Sequence, residues 1–181
     1  MLPFGPRTRQ ASTDADSEEG QRAHQHGVRV VLNPAPAQIL SQDLLLLVDV
    51  LIPNEFEAAI MTGIEIHSRA DARTAAEKLI SLGAGHVILT LGSQGALIAE
   101  ADESGIRYAE IPAYPVHAVD TTAAGDAFVG AIAVALGEGR SLVEAARFAS
   151  AAAALSVTRQ GAQPSLPTRA EVEEFLRGNT K

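Results

Sequence analysis

The run Asp120-Thr121-Thr122-Ala123-Ala124-Gly125-Asp126-Ala127-Phe128 holds residues well suited to chemistry. Small residues lead directly into an apolar helical pattern. Ala and Gly let a ligand come close to the backbone. The amides of Ala124, Gly125 and Asp126 would then face that ligand, and the positive end of the helix dipole would add to the attraction. Such a geometry favours a phosphate, or negative charge developing on one. Asp126 lies at the mouth of this anion hole. Its carboxylate can accept a hydroxyl proton while the alkoxide attacks a γ-phosphorus. Asp in the first turn of a helix is also ordinary dipole chemistry, and spacing alone leaves both readings open.

Three further segments follow strand-like or helical runs. In Asn54-Glu55-Phe56-Glu57, Asn54 and Glu57 could hold a hydrated Mg²⁺, a hard cation that prefers oxygen. They also have the spacing of a capping box, the simpler explanation of the two. Thr90-Leu91-Gly92-Ser93-Gln94-Gly95 could wrap a nucleotide or form a plain β-turn. The carbonyls of Val157-Thr158-Arg159-Gln160-Gly161-Ala162-Gln163-Pro164-Ser165 could cage a monovalent cation, but on the residues alone an ordinary helix exit is the better explanation.

The elements that must position these residues alternate between strand and helix. Val28–Leu32 is β-prone and stops at Asn33-Pro34-Ala35-Pro36. Leu44–Val48 closes a short helix, and Val50–Ile52 reads as a buried strand ended by Pro53. Asn54 starts a helix. Helical spacing over Ala70–Leu82 ends at Gly83, and His86–Leu91 is a strand. Ala96–Ala99 and Ile106–Ile111 alternate like a hairpin. Helices are expected over Phe128–Leu136, Leu142–Val157 and Arg169–Leu176. This order predicts an α/β sheet flanked by helices, whose ligands bind beyond the carboxyl ends of the strands. Residues 1–27 are polar, without apolar periodicity, and are expected to be a disordered tail. Residues 28–181 then form one domain. His24 and His26, in that tail, read as solvated.

Composition narrows the function classes. Of the 181 residues 46% are hydrophobic but only 4% aromatic, so the core must be aliphatic. A net charge of -8 disfavours nucleic acid. With no cysteine, disulfides and thiolate metal sites are excluded. No run has the character of a membrane span or a secretory leader, so a cytoplasmic location and no membrane partner are expected.

Taken together, Val31-Leu32-Asn33-Pro34-Ala35-Pro36, Pro53-Asn54-Glu55, Thr90-Leu91-Gly92-Ser93, Asp120-Thr121-Thr122-Ala123-Ala124-Gly125-Asp126 and Gly161-Ala162-Gln163-Pro164-Ser165 resemble the ribokinase family of sugar kinases. They occur in the family's order and cover nearly all of the chain from Val28 to Leu176. The resemblance implies a three-layer α/β/α sandwich, truncated to its C-terminal nucleotide-binding half. It implies ATP-dependent phosphorylation of a small sugar, D-ribose to D-ribose 5-phosphate, with Asp126 as the base for the 5-hydroxyl.

Ala124, Gly125 and Asp126 would form the anion hole. Asn54 would contact ATP phosphates and, with Glu57, organise Mg²⁺. Thr90, Leu91, Gly92, Ser93, Gln94 and Gly95 would line the nucleotide pocket, joined by Ser150. Asp120, Thr122, Ser156, Arg159, Gly161 and Ser165 match positions that bind an activating K⁺, largely through backbone carbonyls. The family's N-terminal half, with a Gly-Gly sugar-binding motif and a lid through which relatives often dimerise, has no counterpart here. An impaired kinase is therefore expected from this chain alone. A non-catalytic nucleotide-binding remnant, a kinase of another sugar or nucleoside, and an unfolded relic are the alternatives.

Overall fold

The computed structural model describes residues 8–10 and 14–179. They fall into two compact units. The first holds the described residues up to Gly92 together with Ala96–Glu110. The second holds Ser93–Gly95 and the described residues from Ile111 onward. One domain from Val28 was expected; the structure divides it.

The first unit is a six-stranded mixed sheet in chain order, β1 (Thr8–Gln10), β2 (Val31–Asn33), β3 (Val50–Leu51), β4 (His86–Thr90), β5 (Ala96–Asp102) and β6 (Gly105–Ile111, whose last residue belongs to the second unit). The first four strands run parallel, with Val31 opposite Val50 and Leu51 opposite Val87. Strand β5 returns antiparallel, Ile88 facing Ile98. Val87, Ile88 and Leu89 are all fully buried, as a continuous apolar run in a parallel sheet requires.

Helices α1 (Asp14–Gln25), α2 (Gln42–Leu45), α3 (Glu55–Thr62) and α4 (Arg69–Ser81) connect the strands. Helix α4 packs on β4 and β5. Its Ala72, Ala75, Ala76 and Leu79 join Leu51, Val87, Leu89, Leu97 and Ala99 in one core. Helices α2, α3 and α4 each start at a local cap: Ser41, Asn54 and Ser68 accept a backbone N–H with the side chain. Helix α3 stops at Gly63, which takes φ 72.

The expected disordered tail at residues 1–27 is corrected where the structure describes it. Thr8–Gln10 pairs parallel with β2, and Asp14–Gln25 is helical. Helix α1 buries Gly20 against Leu47, just beyond α2. A Cβ added there would lie 3.2 Å from the Leu47 Cδ1. Contact through so small a residue leaves no apolar periodicity to read. The rest of that expected tail, residues 1–7 and 11–13, lies outside the described residues.

The second unit is helical: α5 (Ala124–Gly137), α6 (Leu142–Val157) and α7 (Arg169–Asn179). Helix α5 is apolar nearly all round and deeply buried, as is the alanine face of α6. The two make the most extensive helix–helix contact among the described residues. Ser141 and Glu144 close a capping box at the start of α6. No described helix is long and apolar enough to cross a membrane.

Candidate active site

The parallel strands bring three of the singled-out segments to their carboxyl ends. Asn33 closes β2 and its Nδ2 donates to the Ile52 carbonyl at 2.8 Å. Asn54 follows β3 and forms a parallel bridge with Thr90 at the end of β4. The Thr90 amide donates to the Pro53 carbonyl at 2.9 Å. Asn54 and Thr90 are thus neighbours at the edge where such sheets bind ligands.

Asn54 and Glu57 make both bonds of a capping box. The Asn54 Oδ1 accepts the Glu57 N–H, and the Glu57 Oε2 accepts the Asn54 N–H, each at 2.8 Å. The Glu57 side chain is buried; loss of hydration pushes its carboxyl up, against the lowering effect of the Asn54 bond. The two residues are oxygen donors of the type Mg²⁺ takes, yet one Glu57 oxygen is already committed. Among the described residues no cluster of three or more His, Cys, Asp or Glu could hold a metal. The pair therefore suits a cation that arrives with phosphates and keeps several waters, not one caged by protein alone.

Beyond β4, Gly92–Gln94 is a turn of 3₁₀-helix. Leu91 is buried, whereas Gly92, Ser93 and Gln94 are exposed. Gly95, at φ 89, lies so close to the chain at 111–113 that a Cβ would sit 2.0 Å from the Ile111 carbonyl oxygen. Ser150 lies buried on α6.

The segment from Asp120 to Asp126 is a turn followed by the first residues of α5. Ala123, at the N-cap position, offers no side-chain bond. The Ala124 amide donates to the Thr121 carbonyl at 3.2 Å, so it differs from the open amide expected of it. The next two amides, of Gly125 and Asp126, have no acceptor among the described residues. Both residues are exposed, and a Cβ on Gly125 would meet nothing within 4 Å. The Asp126 carboxylate likewise has no donor among the described residues. An uncapped helix start, open space and a free carboxylate coincide here.

The expected K⁺ residues come together in two groups. Asp120 accepts from the Thr122 amide at 2.9 Å, the Thr122 hydroxyl at 2.5 Å and the Gly161 amide at 2.9 Å. The Thr122 hydroxyl first, then the two amides, hold its carboxyl below the usual range. Ser156 and Ser165 are buried and share a hydroxyl bond of 3.0 Å. These are oxygen donors, as an alkali cation requires. Arg159 sends its guanidinium to Glu171 at 2.6 Å and leaves only its backbone for such a role.

Glu171 escaped the sequence reading, although Thr168 three residues before it is a legible capping signal. Its carboxylate also accepts the Thr168 amide at 2.7 Å and hydroxyl at 2.8 Å. Arg159 first, then Thr168, hold it at about 2, against an ordinary 4.5. Its folded value is depressed, so its contribution to stability is present above pH 4.5 and is lost as pH falls toward 2. Thermal melts of the wild type and Glu171→Gln should accordingly differ at neutral pH and converge between about pH 4.5 and 2. A constant difference across that range would contradict the assignment.

Residues 10–169 match the pfkB family carbohydrate kinases. The chain belongs to that family. It is 50% identical over 156 residues to a ribokinase of Haemophilus influenzae, covering 86% of this chain and 50% of that protein. Among solved structures, it matches a ribokinase from Thermotoga maritima with TM-score 0.77 and 42% identity, over 88% of this chain and 52% of the other. An Arabidopsis thaliana ribokinase complexed with ribose and ATP gives TM-score 0.87 at 33% identity, over 94% of this chain and 54% of the other. The α/β fold is thus that of the ribokinases, and the chain spans about half the length of the relatives it matches.

Proposed function

We propose that this pfkB-family chain carries the nucleotide-binding, base-bearing part of an ATP-dependent sugar kinase, and that the sugar is D-ribose. The reading rests on the two open amides of Gly125 and Asp126 beside the free Asp126 carboxylate. It is supported by the likeness to ribokinases, one of them described with ribose and ATP. In the reaction, Asp126 takes the proton of the sugar's 5-hydroxyl. The oxygen forms a bond to the γ-phosphorus as the bond to the β–γ bridging oxygen breaks. Sugar phosphate and ADP result. The Gly125 and Asp126 amides, at the positive end of α5, stabilise charge on the transferring group.

Asn54 and Glu57 would hold a hydrated Mg²⁺ against the phosphates. Oxygens of Asp120, Thr122, Ser156, Gly161 and Ser165 and the Arg159 backbone would hold K⁺. These ions supply charge neutralisation; alignment and proton transfer fall to the chain. Residues Thr90 to Gly95 and Ser150 would bind the nucleotide. A cytoplasmic location fits a small phosphorylated product.

A coupled assay of ADP release, with MgATP, with and without ribose and K⁺, tests the proposal. Ribose-dependent release stimulated by K⁺ is expected, and fructose or a nucleoside in place of ribose identifies a different acceptor. The alternative reading is a nucleotide-binding module without turnover. It predicts a thermal shift with MgATP and no sugar-dependent ADP. Neither shift nor release would exclude both.

A further inference from the structure

In a parallel pair, a residue bonds to the two residues that flank its partner, donating to the first and accepting from the second. Val50, opposite Val31, donates to the Val30 carbonyl at 3.1 Å. Two residues on, Ile52 donates to the Leu32 carbonyl at 2.8 Å, which sets it opposite Asn33. The Ile52 carbonyl is then due the amide of residue 34. That residue is Pro34, and proline has no N–H. Ile52 is buried, where an unmet carbonyl is costly.

The Asn33 side chain supplies the missing donor. Its Nδ2 donates to the Ile52 carbonyl at 2.8 Å. A carbonyl only accepts, so the nitrogen of the Asn33 amide must face it. Pro53 follows and again lacks an N–H. Among the described residues, the Ile52 carbonyl is therefore the last group of this segment bonded to β2. From the other side, Thr90 on β4 donates its amide and hydroxyl to the Pro53 carbonyl at 2.9 and 3.4 Å. Residues 52–54 are thus gripped by one side chain from β2 and by Thr90 from β4. Asn54 is the next residue. Its Oδ1 accepts the Glu57 amide, which leaves its Nδ2 exposed and without an acceptor among the described residues.

We propose that Asn33 is a positioning residue: its side-chain amide replaces the backbone N–H that Pro34 lacks and, through the Ile52 carbonyl, sets where the Asn54 Nδ2 points. What that Nδ2 meets, an ATP phosphate, rests on the kinase reading; the side-chain rung does not.

NMR of the chain, with MgATP as probe, tests the proposal without requiring turnover. In Asn33→Ala the Ile52 carbonyl-carbon resonance and the Asn54 side-chain amide resonances should move. The MgATP Kd should rise about tenfold, the low end of what removing a supporting hydrogen-bond partner costs a site. Asn33→Asp keeps the size but sets acceptor against acceptor, so it should displace Asn54 at least as far. It also serves if the alanine variant does not fold. The double variant Asn33→Ala/Pro34→Ala returns a backbone N–H to residue 34. It should bring the Ile52 resonance and the Kd back toward wild type, a rescue that a mere packing role for Asn33 would not show. Ile98→Val trims a buried residue on β5, two strands from β3. It should lower Tm and leave the MgATP Kd unchanged, which separates positioning from general stability. Unmoved Ile52 and Asn54 resonances in both single Asn33 variants would overturn the proposal, as would a double variant no nearer wild type than Asn33→Ala. No MgATP response in the wild type would instead count against the kinase reading, while the Ile52 and Asn54 resonances still decide the rung.

Discussion

Asp126→Asn is expected to lower sugar-dependent ADP release by about 10²–10⁴-fold, the range supplied by a positioned base, while leaving MgATP binding nearly intact. The substitution keeps the side chain's shape and the third helical amide. It removes the negative charge and with it the ability to take a proton. Structure should not be at stake, because the carboxylate is exposed and has no donor among the described residues. The measurement is a coupled ADP assay paired with a thermal shift against MgATP. It is made on this chain and, in parallel, on a chain extended to the length of its relatives. Turnover within a few-fold of wild type would remove Asp126 from the role of base.

Gly95→Ala should be the most disruptive single methyl group near the proposed nucleotide loop. At φ 89 the backbone is in the region that favours glycine, and the added Cβ would lie 2.0 Å from the Ile111 oxygen and 2.7 Å from the Ala113 nitrogen. Both neighbours are main chain and cannot rotate aside. The segment 93–95 or the segment 111–113 must therefore move, at a cost of about 2–4 kcal/mol for combined strain and lost packing. Thermal unfolding should show the loss, and the MgATP-induced shift should shrink further than stability alone explains. As a contrast, Gly125→Ala adds its methyl to open space. It should leave Tm nearly unchanged and act on turnover alone. Equal stability losses in the two variants would contradict the close approach at Gly95.

Elements with strong local signals were legible in the sequence. Helix α6 has the expected bounds, Leu142–Val157, because a Ser141–Glu144 box starts it and apolar residues run to its end. The Asn54–Glu57 spacing likewise becomes a closed box. Legibility fails where contact depends on small residues or on distance along the chain. Helix α5 begins at Ala124, four residues before the expected Phe128, since Ala and Gly carry no periodicity. Helix α1 was missed for the same reason, its buried contact being Gly20 against Leu47.

At the site, residue types around Asp126 suggested an anion hole. The choice of amides was visible only in three dimensions: Ala124 bonds to Thr121, and two remain. The bond from Asp120 to Gly161 spans 41 residues and leaves no trace in local spacing. Arg159 matched a cation-site position, but its side chain serves the start of α7.

The alanine-rich seam between α5 and α6 has a mechanical corollary. Ala127, Ala131 and Ala135 on one helix, and Ala145, Ala149 and Ala152 on the other, are buried and have no rotamers to exchange. Buried alanines on both helices let their main chains come close together. Because the Val157 carbonyl accepts the Val119 and Asp120 amides, the segment entering α5 is held to the end of α6 and must follow any displacement of that helix.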